Sequence, residues 1–487
     1  MTIRKALAFS YLDKYASLLV FFAASVITAR LLTPADVGVF SVTMVLVAFL
    51  APFRDLGASQ FLIQQRELDV DSLRAVWTVQ LTLGAALGAL TFLCRDAIAL
   101  FYREPRMRDI LLVLSINSLI MPFGAMTSAW LTRAMRFDAL ALIRFSGALS
   151  GSTASVLFAA RGFGPISLAY GSLAGATVSA LVAAAFRPPE LPWRPGTRHL
   201  NRVVGFGSTS TGVTLLNIAS SSAPELLLGR LQGMTQTGLF GRAQSLMSMF
   251  ERLVLDGLHA VALPMFAKQL RDGGDLSGVF VRAVGHVALA GWCLLGGLAL
   301  FADPVIRVLY GHQWLSAAPL TSLLCVGMCL HMPALLCSPP LIAKGRVHLV
   351  LGLTALNTVI NVLTVFLAAH FSLLAVAWGM MLASGLTSLP LLVASQRVIG
   401  YRWTDLFTEL RRSFIIAAVT LVGPALIWAF WPVGADTPYL QLLSGTATGG
   451  VGLLFAAQRW HPDLWQGLLQ LSHRGLTTLN RLRRHGT

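Results

Sequence analysis

Fourteen times in 487 residues the chain returns to an apolar run long enough to cross a bilayer. The runs lie near 7–30, 36–60, 73–94, 108–132, 140–160, 164–186, 203–228, 236–260, 280–302, 316–342, 347–369, 373–396, 412–431 and 439–458. A helix needs about 20 apolar residues to span the hydrocarbon core, and in lipid only closed hydrogen-bonding patterns survive, so each run predicts a helix. Composition agrees: 55% of residues are hydrophobic and 12% charged, against about 25% charged in a soluble globule. The expected class is an all-α polytopic membrane protein with fourteen spans. Pro52, Pro122, Pro224, Pro333, Pro339 and Pro340 interrupt several of them, and each break calls for protein or water beside the freed backbone groups.

The net charge of +16 is spread in short basic clusters between the apolar runs, which points to orientation in a bilayer and away from nucleic acid. An even span count puts both termini on one side. With both inside, 27 of the 37 Lys and Arg residues fall in inner segments, nine in outer ones, and Lys14 within a span. That bias satisfies the positive-inside rule. The outer loops are short, the longest near 94–107, so no external domain is expected. Cys94, Cys293, Cys325, Cys329 and Cys337 sit in or beside apolar runs without metal-ligand spacing and read as small hydrophobes. The first run carries Asp13 and Lys14 and lacks a small-residue cleavage point, so it reads as a retained helix. Beyond the last run, Leu464, Leu468, Leu471, Leu476, Leu479 and Leu482 recur near helical spacing among arginines, as in an amphipathic basic helix on the inner leaflet.

One ungapped offset relates two parts of the chain. RLLTPADVGVFS (Arg30 to Ser41) over RLQGMTQTGLFG (Arg230 to Gly241) aligns Arg30 with Arg230, Leu31 with Leu231, Gly38 with Gly238 and Phe40 with Phe240. The same offset pairs Leu46 with Leu246 and Gly57 with Gly257. Both copies are corners between long apolar runs, and a repeat of this length suggests a duplicated half-protein. The expected organisation is a six-helix lobe over 1–200, a second over 201–400 related to it by a parallel repeat, two additional helices in 401–460, and a basic tail over 461–487.

Polar residues inside the spans carry the functional signal. Ser210, Thr214, Asn217, Ser221 and Glu225 form one stripe on the seventh run, at intervals of four, three, four and four. The offset maps them onto Ser10, Lys14, Ser17, Phe21 and Ser25 of the first run. An ionisable Lys14 at such depth faces a wet cavity or a partner, unless it snorkels to the inner interface. Asp13 points about 100° away from it, toward a salt bridge or an ion. Thr354, Asn357, Asn361 and Thr364 repeat the theme, as lumen or as interhelical glue. Arg30 and Arg230 cap the first and seventh runs, Arg242 begins the eighth, and Arg54 with Asp55 and Arg252 with Asp256 close the second and eighth. Singly these are interfacial anchors or ion pairs. Together they make a basic path suited to phosphate or another acid, which a guanidinium grips with a two-pronged fork.

No Walker-type Gly-rich loop, metal-spaced set or Ser/His/Asp grouping occurs, so neither an enzyme nor a cofactor is expected. The corner ARLLTPADVGVFS, the run FRDLGASQFLIQ (Phe53 to Gln64) with its RDLG (Arg54 to Gly57), GLFGRAQSL (Gly238 to Leu246), and Tyr310 with Gly311 carry a family likeness. Over essentially its whole length the chain resembles the polysaccharide exporters of the multidrug/oligosaccharidyl-lipid/polysaccharide flippase superfamily, most of all the colanic acid and exopolysaccharide branch. The resemblance implies two six-helix lobes that open alternately inward and outward. It implies an undecaprenyl-diphosphate-linked oligosaccharide as cargo, moved from the inner to the outer leaflet of a bacterial cytoplasmic membrane, among membrane lipids and beside a glycan polymerase or chain-length complex. In that setting Lys14, Arg30, Arg54, Arg230, Arg242 and Arg252 would neutralise the diphosphate. Ser210, Thr214, Asn217 and Ser221 would bond the glycan, and Asp13 or Glu225 would couple an ion. The rivals are a drug or cation antiporter of the same fold, a membrane glycan polymerase or ligase, and a scaffold for a synthesis complex.

Overall fold

The computed structural model describes residues 3–65, 69–431 and 437–460; the side chains of 3–14, 206–214, 216, 217, 220, 250–260, 457 and 460 lie outside the described set. Among the described residues the chain forms α-helices and no strand. In order these are α1 (Ile3–Leu31), α2 (Pro34–Asp55), α3 (Ala58–Gln64), α4 (Val70–Tyr102), α5 (Met107–Arg133) and α6 (Phe137–Ala160). Then come α7 (Ile166–Ala185), α8 (Leu200–Leu231), α9 (Met234–Arg271), α10 (Leu276–Leu300), α11 (Ala302–Leu309) and α12 (Ala318–His331). The last five are α13 (Ser338–Ala343), α14 (Val347–Ala368), α15 (Leu373–Ile399), α16 (Trp403–Phe430) and α17 (Pro438–Trp460). Ten helical stretches of the described residues are long and apolar enough to cross a membrane.

Two expected runs are not single helices. The second breaks at Leu56 and Gly57 into α2 and α3. The tenth is divided into short 3-10 turns around α12 and α13, where Pro333, Pro339 and Pro340 remove backbone donors.

By contacts the chain forms two compact units, one comprising Met1–Gly241 with Asn361–Leu373, the other Arg242–Ile360 with the chain from Leu374 on. In the first unit the α1–α2 corner is a capping box. Thr33 Oγ1 accepts the Asp36 N–H at 3.2 Å, and Asp36 Oδ2 accepts the Thr33 N–H at 3.1 Å, with Pro34 opening the helix. The repeated corner is made differently, by Gly233 at φ +92° between α8 and α9.

The two corners meet. A Cβ on Gly38 would lie 1.8 Å from the Met234 carbonyl oxygen, and one on Gly238 would lie 1.8 Å from that of Pro34. Since 34 and 38 map onto 234 and 238 by the repeat offset, the contact is reciprocal, each copy laying its glycine on the other's first helical turn. Only hydrogen fits between such backbones. Val39, Val42, Ile110, Leu111, Leu114 and Met234 seal the crossing from one side. Elsewhere in this unit α6 and α7 approach through Gly147 and Gly151 against Gly175 and Gly171.

The connection from α7 to α8 is strapped onto α4. Trp77 Nε1 donates to the Trp193 carbonyl at 3.0 Å, and Thr78 Oγ1 bonds both the N–H and the carbonyl of Gly196 at 2.8 Å. The Arg187 guanidinium lies 3.8 Å over the Trp193 ring, 5.1 Å over that of Trp77, and donates to the Pro192 carbonyl at 2.7 Å. Burial there lowers its pKa from the ordinary arginine value.

In the second unit α10 packs against α12 and α16, and α16 against α17. Leu289, Ile416, Ala417 and Ala456 form a core there. Ser413 Oγ donates to the Gly285 carbonyl at 2.9 Å, and Trp292 Nε1 to that of Cys329 at 2.8 Å, which satisfies polar groups facing an apolar surround.

Candidate transport site

The RDLG run is an elbow. Helix α2 closes when the Leu56 N–H bonds the Pro52 carbonyl at 2.9 Å; Leu56 (φ 39°) and Gly57 (φ 68°) then both adopt the left-handed conformation. For leucine this costs about 1–2 kcal/mol, so tertiary contacts must hold it. They come from three directions. Asp55 Oδ1 accepts the Ser59 hydroxyl at 2.6 Å, and both carboxylate oxygens lie 3.3 Å from the Ser59 N–H in the first turn of α3. From α4, Gln80 Nε2 donates to Asp55 Oδ1 at 3.0 Å and to Ser59 Oγ at 3.1 Å. From the end of α5, Arg133 Nη1 donates to the Leu62 carbonyl at 3.0 Å and to that of Gln65, satisfying the open carbonyls of α3. Phe61 and Leu62 anchor the short helix in a core with Val76, Trp77 and Leu191.

Arg54, in the last turn of α2, is half-buried. Its expected partner, Asp55, is engaged by Ser59 and Gln80, and among the described residues Arg54 makes no hydrogen bond or ion pair.

The remaining site residues are placed as follows. Arg30 is exposed in the last turn of α1. Arg230, exposed in the last turn of α8, holds its guanidinium 5.1 Å over the Phe101 ring. Arg242 is 8% exposed, with Tyr310 and Trp314 rings 4.9 and 5.0 Å from its guanidinium carbon. Gly311, at φ +96°, turns the chain between those rings. Glu225 on α8 accepts a hydrogen bond from the Ser41 hydroxyl on α2. Gly241 closes that pair, since a Cβ there would lie 3.5 Å from Glu225 Oε1 and 3.6 Å from Ser41 Oγ. Ser221 is exposed, its hydroxyl 3.3 Å from the Ile218 carbonyl. Asp13 and Lys14 on α1, Ser210, Thr214 and Asn217 on α8, Arg252 on α9 and the tail 461–487 lie outside the described residues as far as their side chains are concerned.

Beside the corner, Arg106 bridges Asp36 at 2.7 Å and Glu104 at 2.8 Å. The hydrogen bond from Arg106 holds the Glu104 carboxyl below its ordinary pKa. Sequence reasoning did not single out Ser41, Ser59, Gln80, Arg106, Tyr310 or Trp314 as partners of these charges. Ser41 faces Gly241 across the repeat offset and so carried a signal. Gln80 carried none, being a lone amide in an apolar run.

Helices throughout the described residues, ten stretches of them long and apolar enough to cross a membrane, define a multi-pass membrane protein. The chain belongs to the polysaccharide biosynthesis protein family, whose model matches residues 27–319. It is 24% identical over 469 residues to the succinoglycan biosynthesis transport protein ExoT of Rhizobium meliloti (strain 1021), covering 92% of this chain and 91% of that one. It is 23% identical to the lipopolysaccharide biosynthesis protein WzxC of Escherichia coli (strain K12), covering 81% of each. Identity to the teichuronic acid biosynthesis protein TuaB of Bacillus subtilis (strain 168) is 25%, covering 85% of this chain and 87% of that one. Among solved structures, the lipid II flippase MurJ in an inward closed conformation superposes with a TM-score of 0.75 at 13% identity, over 93% of this chain and 99% of that chain. An inward-facing multidrug resistance MATE family transporter superposes at 0.62 and 18% identity, over 79% and 94%. The fold is therefore shared with flippases and with drug transporters. The chain is thus a member of the polysaccharide biosynthesis protein family with many helices long and apolar enough to cross a membrane.

Proposed function

We propose that this protein moves an undecaprenyl-diphosphate-linked oligosaccharide from the inner to the outer leaflet of a bacterial cytoplasmic membrane, for exopolysaccharide or lipopolysaccharide assembly. The mechanism is alternating access of lobes 1–200 and 201–400 within a fourteen-span protein whose termini are both cytoplasmic, residues 401–460 adding the last two spans. The observation that carries this reading is the state of Arg54, a half-buried guanidinium at the inner end of α2 whose neighbouring carboxylate is occupied elsewhere. A half-buried guanidinium with no bonded acceptor among the described residues leaves its donors open, and a diphosphate supplies oxygens in the geometry a guanidinium fits best.

In this proposal Lys14, Arg30, Arg230 and Arg252 extend the anion path beyond Arg54. Arg242 joins it when Tyr310 and Trp314 release its guanidinium. Ser210, Thr214, Asn217 and Ser221 bond the glycan, and Asp13 or Glu225 couples an ion. Relatives named for succinoglycan, lipopolysaccharide and teichuronic acid biosynthesis support a glycan cargo.

The test is depletion of the protein with leaflet-resolved labelling of the lipid-linked oligosaccharide in membrane vesicles. Complete repeat units are expected to accumulate on the inner leaflet. Accumulation on the outer leaflet would move the assignment to polymerisation or ligation, and new drug sensitivity without any accumulation would move it to an antiporter.

A further inference from the structure

We propose that Ser59 and Gln80 are positioning residues that hold the Asp55 carboxylate away from Arg54, so that the elbow presents an unneutralised guanidinium to a diphosphate headgroup. This deepens the transport reading above and rests on it.

Adjacent arginine and aspartate residues at the end of a membrane helix would ordinarily neutralise one another, because each is costly alone at that depth. Here, although adjacent in the chain, Arg54 and Asp55 form no ion pair, and the carboxylate bonds Ser59 and Gln80 instead. The left-handed pair Leu56 and Gly57 folds α3 back so that its first turn, with the Ser59 N–H and hydroxyl, lies on the Asp55 carboxylate. Gln80 completes the enclosure from a second helix.

The orientation of Gln80 is informative. Its side chain is 2% exposed, its amide nitrogen serves both Asp55 and Ser59, and its amide oxygen accepts no hydrogen bond among the described residues. Leaving a buried acceptor unsatisfied is unfavourable. The carboxylate dictates that arrangement, since only the amide donors can face it. Two side-chain donors and one helix start are therefore committed to Asp55, and among the described residues no acceptor is supplied to Arg54. If Asp55 were freed, it would compete with an incoming phosphate for the same guanidinium.

The experiment measures binding of farnesyl diphosphate, a short polyprenyl diphosphate, to the purified full-length protein by titration calorimetry. Gln80→Leu is expected to weaken binding roughly tenfold or more, the worth of one charge-assisted hydrogen bond. Ser59→Ala should weaken it less, and it keeps the test available where Gln80→Leu does not accumulate. Adding Asp55→Asn to either variant is expected to restore wild-type affinity, because the asparagine oxygen can still accept the Ser59 N–H but no longer competes as an anion. A purely structural role for the network would not show that rescue. Unchanged binding in Ser59→Ala and Gln80→Leu, or failure of Asp55→Asn to rescue, overturns this inference while leaving the transport reading intact. A wild-type protein that does not bind the diphosphate at all overturns both.

Discussion

The two stretches aligned by the 200-residue offset start alike and finish differently. At their corners, Gly38 and Gly238 occupy equivalent positions and pack reciprocally, backbone against backbone. Further along, Gly57 and Gly257 are also equivalent, yet α2 stops and turns at Gly57, while α9 runs unbroken from Met234 to Arg271 through Gly257. Glycine permits the left-handed conformation at little cost, but it does not require it. The break exists in the first copy because Asp55, Gln80 and Arg133 hold it. The two stretches thus share the crossing, and only the first ends in an elbow.

The largest expected effect comes from the shared feature. Gly38→Val places a branched side chain where even a Cβ would sit 1.8 Å from a carbonyl oxygen. Overpacking of this kind costs about 1–3 kcal/mol or more. Export and thermal stability in detergent should both fall sharply, and Gly238→Val should reproduce the loss; tolerance of either would break the claim of a reciprocal contact. Next, Arg133→Ala removes the donor to the α3 carbonyls and should destabilise by about 2 kcal/mol, as charge-assisted bonds usually do. Unchanged melting temperature in Arg133→Ala would remove those bonds from the account of how the elbow is held.

The divergent glycines should respond with opposite signs. Gly57→Ala, at φ 68°, costs about 1–2 kcal/mol by steric conflict, whereas Gly257→Ala, inside a helix, should gain up to about 1 kcal/mol. Equal shifts in melting temperature would refute the contrast between elbow and continuous helix.

The smallest effect is one of pH. The Glu104 carboxyl is held below its ordinary value by Arg106. Its contribution is therefore full above the unfolded pKa of about 4.3 and is lost as pH falls through the lower folded value. At a partly exposed corner this amounts to no more than about 1 kcal/mol. Glu104→Gln should lower stability at neutral pH by up to that amount, leave stability at low pH nearly unchanged, and so flatten the acid limb of stability against pH. An unaltered acid limb would remove Arg106 from the account of how this corner is held.

Much of the helical plan was legible in advance, because apolar length reports on lipid directly and needs no knowledge of neighbours. Every expected run lies on helix, with breaks added at Leu56–Gly57 and around Pro333. The offset that paired Gly38 with Gly238 was legible as well, although nothing in it said that the two would touch. The partners of the charges were not legible. Asp55 stood beside Arg54 in the chain but bonds Gln80, 25 residues away, and Arg242 lies against rings some 70 residues on.

By itself the sequence determined the solvent, the helices and the likeness of the two corners, since these follow from transfer energy and from local backbone preference. Only the tertiary structure decided which of two equivalent glycines bends the chain, which arginine has its neighbouring carboxylate bonded by other side chains, and which is flanked by aromatic rings. Those outcomes depend on donors and rings brought from distant helices, and a buried charge takes its meaning from whichever partner reaches it.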